Sequence, residues 1–196
     1  MLDAAASPDP VIRERILAVS AELFAEHGYD AVSLREICEA ARVSKGAIYH
    51  HFASKEDLLA AIVISSLEEL LDHVGQPQPP DITAADRLRA FICGQAELAQ
   101  SRPTGFRVAM SRFASLGAAK GQVEALRRAY VRSVRRIFTD GVESGEFRSI
   151  DIRAATRMVL AILYWLARWY EPGGGLSAVD IAAAHADLML NGMRAP

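Results

Sequence analysis

The stretch VSKGAIYHHFASKEDLL, Val43 to Leu59, carries two lysines, two histidines and a tyrosine, and no Asp or Glu occurs from Ala40 to Ser54. The chain as a whole is slightly acidic, with a formal net charge of −2 over 196 residues. Bulk charge therefore gives no sign of nucleic-acid binding, but its distribution says more. Residues 1–60 hold six Lys/Arg against ten Asp/Glu, whereas residues 100–136 hold nine Lys/Arg against Glu124 alone. Such asymmetry points to local anion sites.

Working outward from that stretch, the whole chain reads as helix. Asp9 is a good N-cap, Pro10 suits a first helical position, and Ile12, Ile16, Val19 and Leu23 mark one face of a helix that Gly28 closes. Ser33-Leu-Arg-Glu36 is a capping box opening a second helix, with Leu34, Ile37, Cys38 and Ala41 inward. Arg42-Val43-Ser44 forms a short turn, and Ser44 caps a third helix to about His51 with Ile48 and Phe52 inward. Ser54-Lys-Glu-Asp57 starts a fourth, to about Val74. GQPQPPDIT (75–83) is a loop by composition. Further helices fit 84–101, 103–116, 121–144, 151–170 and 178–193, with breaks at Pro103, Gly117, Gly145 and the EPGGGLS turn. The expected fold class is all-α, with about nine helices.

A short helix, a tight turn and a second short helix behind a longer one is the helix-turn-helix arrangement, whose second helix enters the DNA major groove by its N-terminal residues. Here those are Lys45, Gly46 and Ala47, small or cationic, with Tyr49 and His50 opposite the inward Ile48 and Phe52. Helix starts at Ser33 and Ser54 offer free amides to backbone phosphate, and Lys55 adds a charge at the second. An acid anywhere from 40 to 54 would face phosphate at close range. Adjacent His50 and His51 cannot share a helix face, and Cys38 and Cys93 form no cluster, so no metal site and no cofactor is expected. No GxSxG, HExxH or Walker A motif occurs, and an enzyme is not expected.

The run RERILAVSAELFAEHGYDAVSLREICEAARVSKGAIYHHFASKEDLL, Arg13 to Leu59, resembles the TetR family of bacterial transcriptional regulators. It carries the family's Leu-Phe and Gly-Tyr, its Ser-Leu-x-x-Ile, its Ala-x-Val-Ser-Lys-Gly turn and its Ile-Tyr-x-His-Phe-x-Ser-Lys-Glu-x-Leu. The resemblance implies an all-α homodimer. A disordered N-terminus (1–9) would precede a helix-turn-helix DNA-binding domain (10–54) and an effector-binding and dimerisation domain (55–196). It implies DNA contacts at Ser33, Arg35, Ser44, Lys45, Gly46, Ala47, Tyr49, His50 and Lys55, on a near-palindromic double-stranded operator. Many relatives carry Thr or Ser where this chain has Ala47, so one side-chain hydrogen bond to DNA is absent here.

The remaining two-thirds say less. Met158, Ile162, Trp165 and Trp169 share one stripe of their helix; Ile181, His185 and Leu188 share another, with Met189 alongside. Both stripes suit either a four-helix dimer interface or packing inside one chain, and the resemblance favours the homodimer. Phe91, Phe106, Met110, Phe113, Tyr130 and Tyr164 are spaced to point inward, and arginines including Arg107 and Arg128 are dense between 102 and 136. Guanidinium groups suit phosphates and carboxylates. The ending WYEPGGGLSAVDIAAAHADLMLNGM is similar to the tail of a TetR subgroup whose effectors are acyl-coenzyme A thioesters. That subgroup's ligand would need an apolar tunnel and a cationic mouth. The ligand-binding candidates are Phe106, Arg107, Met110, Phe113, Arg128, Tyr130, Tyr164 and Trp165. Alternatives are a sensor of hydrophobic drug-like molecules controlling an efflux pump, and a small-molecule carrier without DNA binding. No apolar run reaches the ~20 residues of a membrane span, and MLDAAASPDP lacks the features of a signal peptide, so a cytoplasmic protein without membrane contact is expected.

Overall fold

The helix starts expected from capping residues are present in the computed structural model, which describes residues 9–75, 79, 81–101, 104, 108, 119–170 and 175–193, apart from the side chains of Ala167 and Trp169. The described helices are α1 (Pro10–His27), α2 (Leu34–Ala41), α3 (Lys45–His51), α4 (Lys55–Val74), α5 (Ala84–Ser101), α6 (Lys120–Glu143), α7 (Ile152–Trp169) and α8 (Ala178–Met193). Of the helix expected at 103–116, the described residues are Thr104 and Val108, and both are helical. The N-terminus expected to be disordered lies outside the described residues up to position 8. Asp9 is ordered as the N-cap of α1 and accepts from Val11 N at 2.9 Å.

Local chemistry sets each boundary of the first four helices. Gly28 ends α1 at φ +83°, a left-handed conformation that costs a side-chain-bearing residue strain. Ser33 and Glu36 form both halves of the capping box: Glu36 N donates to Ser33 Oγ, and Ser33 N donates to Glu36 Oε2 at 2.7 Å. The hydrogen bond from the Ser33 backbone amide, with the Ser33 side chain adding to it, holds the Glu36 carboxyl below the usual carboxylate range. Arg42 takes the left-handed conformation, φ +53°, and turns the chain between α2 and α3. Ser44 and Ser54 then cap α3 and α4 by accepting from Ala47 N and Asp57 N, each at 3.1 Å.

The core begins under α3. Ile16 and Phe24 of α1, Ile37 and Ala41 of α2, Ile48, Phe52, and Leu58 and Leu59 of α4 are all buried. The buried face of α1 is centred on Ile16, Ser20 and Phe24; Ile12, Val19 and Leu23, expected to form it, are half-buried along its edge. Further along, α4 buries Leu67 and Leu70 and packs on α6. α5 lies against α8, where Ala178, Ala182 and Ala186 are fully buried and small enough to bring the helices close.

Long-range polar contacts fix this second layer. The Glu146 carboxylate accepts from Ala84 N and Ala85 N (2.7 and 2.8 Å) and so caps α5 from about sixty residues away. Arg87 pairs with Asp140 at 2.8 Å, Arg89 pairs with Asp187, and Arg148 N and Nε donate to the carbonyls of Met193 and Gly192.

The same layer assigns two stripes differently from the helical spacing alone. Met189, expected at an interface, belongs to the inward stripe of α8 with Ala182, Ala186, Leu190 and Met193 and is buried in its own chain. Trp165, expected to line a ligand pocket, is 57% exposed on the outer face of α7. Packing against α5 and α6 has consumed the opposite face of each helix.

Gly141 of α6 supports Phe147, because a β-carbon there would lie 2.3 Å from the Phe147 ring and 2.9 Å from Ala84. Gly141→Ala is therefore expected to destabilise the fold by about 1–3 kcal/mol, the usual result of overpacking, although alanine is the better helix former. Gly121→Ala, on the same helix with nothing within 4 Å of the added carbon, is expected to be neutral or mildly stabilising. Thermal unfolding of the two variants compares them directly.

Candidate nucleic-acid interface

α3 is only seven residues long and buries Ile48, followed by Phe52 just past its end. Everything else on its outer side is presented. Ser44, Lys45, Gly46 and His50 are exposed, Ala47 is half-buried, and the Tyr49 ring is 48% exposed. Lys45 Nζ lies 5.7 Å from the Tyr49 ring centroid, so cation and ring share one surface. At Gly46 an added β-carbon would meet only Ser44 Oγ, at 3.7 Å. Internal packing does not demand glycine there; its smallness matters only to something approaching from outside.

Two helix starts flank α3. Ser33 and Arg35 are exposed at the first turn of α2, and Arg35 Nε is 2.8 Å from Glu39 Oε1, one turn on. At the start of α4, Lys55 is not a free surface charge. Its Nζ donates to the Tyr29 carbonyl at 2.5 Å and sits 4.2 Å from the Tyr29 ring centroid and 5.7 Å from that of Phe24. Those two rings meet edge to face at 5.2 Å. Glu56 is held below the usual carboxylate range, first by the backbone amide of its own residue, with Tyr29 and Ser54 adding to it. On the other side Arg13 lies 5.5 Å over the Phe52 ring. Two cations, Arg13 and Lys55, thus fasten α1 and the residue just past it to the α3–α4 corner through three ring contacts. Sequence spacing placed Lys55 at a helix terminus, but its attachment to Tyr29 depends on how α1 crosses α4.

The other candidate residues fall into three places. Phe106, Arg107, Met110 and Phe113 lie outside the described residues. On α6 the helix divides them: Tyr130 is buried, whereas Arg128 is exposed, 3.6 Å from Glu124, beside a groove of about 430 Å³ lined also by Arg127, Arg132 and Arg135. Tyr164 is half-buried and its ring meets Trp165 edge-on at 5.7 Å. Met158 and Leu188 are exposed, Leu188 at 73%, while Ile162, Ile181 and His185 are half-buried. The side chain of Trp169 is outside the description. Among the described residues no helix is long and apolar enough to cross a membrane.

The family description "Bacterial regulatory proteins, tetR family" matches residues 16–62, and "Tetracyclin repressor-like, C-terminal domain" matches residues 81–193. The HTH-type transcriptional repressor KstR2 of Rhodococcus jostii (strain RHA1) is 27% identical over 187 residues, covering 94% of this chain and 92% of the relative. The crystal structure of the TetR family transcriptional regulator PfmR from Thermus thermophilus is 35% identical with a TM-score of 0.84, covering 90% of this chain and 97% of that one. A likeness of fold extends to AibR, solved in complex with isovaleryl coenzyme A and operator DNA (TM-score 0.81, 24% identity, 90% of this chain and 97% of that one). The C-terminal match alone spans more than half the sequence: this chain belongs to the TetR family of bacterial regulatory proteins.

Proposed function

We propose that the protein is a homodimeric transcriptional repressor that reads a near-palindromic operator with α3 and is released from it by an acyl-CoA thioester. The observation that carries the DNA reading is the surface around α3: exposed Lys45, Gly46, Tyr49 and His50, with only Ser44 Oγ within 4 Å of a β-carbon added at Gly46 and no carboxylate from residue 40 to 54. In this reading residues 10–54 form the DNA-binding domain and 55–196 the effector-binding and dimerisation domain. Gly46, Ala47, Tyr49 and His50 meet base edges, and Lys45 meets the adjacent phosphate backbone. Ser33, Arg35, Ser44 and Lys55 meet phosphate. The exposed Arg35–Glu39 pair is weak enough for a phosphate to displace the carboxylate, and Lys55 keeps two of its three protons for a phosphate while holding Tyr29.

The effector reading rests on α6, whose faces are the cationic groove around Arg128 and the buried aromatic side at Tyr130. A thioester of coenzyme A has both parts, a phosphate-bearing head and an apolar chain, and AibR offers an example of such a ligand in this fold. The dimer reading rests on Met158, Trp165 and Leu188, large apolar side chains left exposed on α7 and α8.

Lys45→Ala is expected to weaken binding to operator and to unrelated duplex alike and to lower the slope of log K against log salt by about one unit. Fluorescence anisotropy at a series of salt concentrations measures it, and an unchanged slope would remove that lysine from the phosphate backbone. The unmutated protein is expected to sediment as a dimer at micromolar concentration, and Leu188→Arg, which forces a charge into the interface, to sediment as a monomer. In calorimetry, acyl-CoA affinity is expected to rise with chain length, by about 0.8 kcal/mol per buried methylene until the pocket is full. Arg128→Ala is expected to lower that affinity and leave operator binding intact. Binding of a drug-like cation in place of any CoA ester would replace this effector assignment with the drug-sensor one.

A further inference from the structure

Gln95 of α5 has no exposed surface at all. The Tyr130 phenol of α6 donates to its Oε1 at 2.9 Å, while its Nε2 is buried and has no partner among the described residues. Buried Thr156 shows the ordinary solution, its hydroxyl donating to a carbonyl of its own helix, Ile152 O, at 2.6 Å. Gln95 is not arranged that way. Rotating its amide would be worse: Nε2 would then donate to the phenol oxygen, and the phenol proton, Oε1 and a second amide proton would all be left without partners. Burial pushes the Tyr130 phenol well above its ordinary value, so it stays protonated and keeps the amide oriented. The result is a donor held in place in an apolar setting, with Phe91 one turn earlier on α5 and its ring 5.7 Å from that of Tyr130. An unpaired buried donor is expensive, and it is retained where something else completes it.

We propose that Gln95 Nε2 is the group that reads the effector, donating a hydrogen bond to the carbonyl oxygen of its acyl group. The inference rests on the acyl-thioester reading above and assigns that site its selectivity. A thioester carbonyl is an uncharged acceptor, which suits an amide donor paired only with a neutral phenol. A free carboxylate would bring a charge into a setting where Gln95 and Tyr130 offer no counter-ion, and a cation would meet N–H groups of the wrong polarity. Gln95 and Tyr130 are thereby positioned to select esters over free acids and cations of the same size.

Calorimetry with a matched pair of probes tests this: an acyl-CoA, and the S-alkyl-CoA in which the carbonyl is a methylene. The parent protein is expected to prefer the thioester by tenfold or more, since a site built to hydrogen-bond rejects the analogue lacking the acceptor. Gln95→Leu/Tyr130→Phe is expected to bind the two probes within about twofold of each other, because the donor is gone. Without ligand, the same double variant is expected to unfold at an equal or higher temperature than the parent, since removing both partners of an incompletely satisfied polar pair is neutral or stabilising. Equal binding of the two probes by the parent, or a preference surviving in the double variant, overturns the role of Gln95 and leaves the CoA reading standing. A melting temperature lowered by several degrees makes the pair a structural one and overturns it as well. Binding of neither probe is a different outcome, which removes the acyl-CoA reading and this inference with it.

Discussion

A helix of seven residues with one buried side chain cannot persist in water by itself, because nucleating a helical turn costs more than so few hydrogen bonds return. α3 exists only because Ile48 and Phe52 are seated in a core built by α1, α2 and the first turns of α4. The presented surface depends on that seating. With Ile48 and Phe52 turned in, the 3.6-residue period turns His50 to the far side and Tyr49 to the flank, while Lys45 is exposed as the first residue of the helix. The serine caps at both ends then fix where α3 and α4 begin, and the cation–aromatic contacts of Arg13 and Lys55 fix how α1 crosses the pair.

α4 transmits that arrangement into the rest of the chain. Its first turns complete the core under α3 and its later turns pack on α6. The two regions therefore share one twenty-residue helix rather than a flexible joint. A change in how α6 sits cannot leave α4 untouched, and a change in α4 reaches Ser54, Lys55 and the end of α3. α6 is also where the proposed effector reading is concentrated, with the arginine groove on one face and the Tyr130–Gln95 hydrogen bond on the other. In that reading, effector contacts on α6 and operator contacts at the start of α4 act through one shared helix, a contiguous physical route for coupling between distant sites.

The second layer of the molecule is held by a different kind of contact. Glu146 capping α5, Arg148 on the last turn of α8 and Arg89 on Asp187 each join segments more than forty residues apart. They close the helix bundle around small residues, the alanines of α8 and Gly141 of α6, that let neighbouring backbones come close. Among the described residues, Met158, Trp165, Leu176 and Leu188 leave apolar surface outside that bundle.

The sequence by itself determined the helices and the presenting surface, because the features that set them are local. A serine cap acts within three residues, a left-handed glycine acts at its own position, and Ile48 and Phe52 lie one turn apart. Even so, α1 buries a face one step away from the expected one, because the sides that α2 and α4 pack against, not the apolar spacing, decide which residues are covered. Tertiary structure alone decided the rest. Met189 turned inward and Trp165 outward because α5 and α6 covered particular sides of α8 and α7, and nothing in a helical stripe says which side a neighbour will take. Lys55 met Tyr29, and Gln95 met Tyr130 across thirty-five residues, only when separate helices were brought side by side. A glutamine among apolar residues carries no signal in sequence. Its unpaired amide is visible only once the packing has buried it with no acceptor among the described residues in its reach.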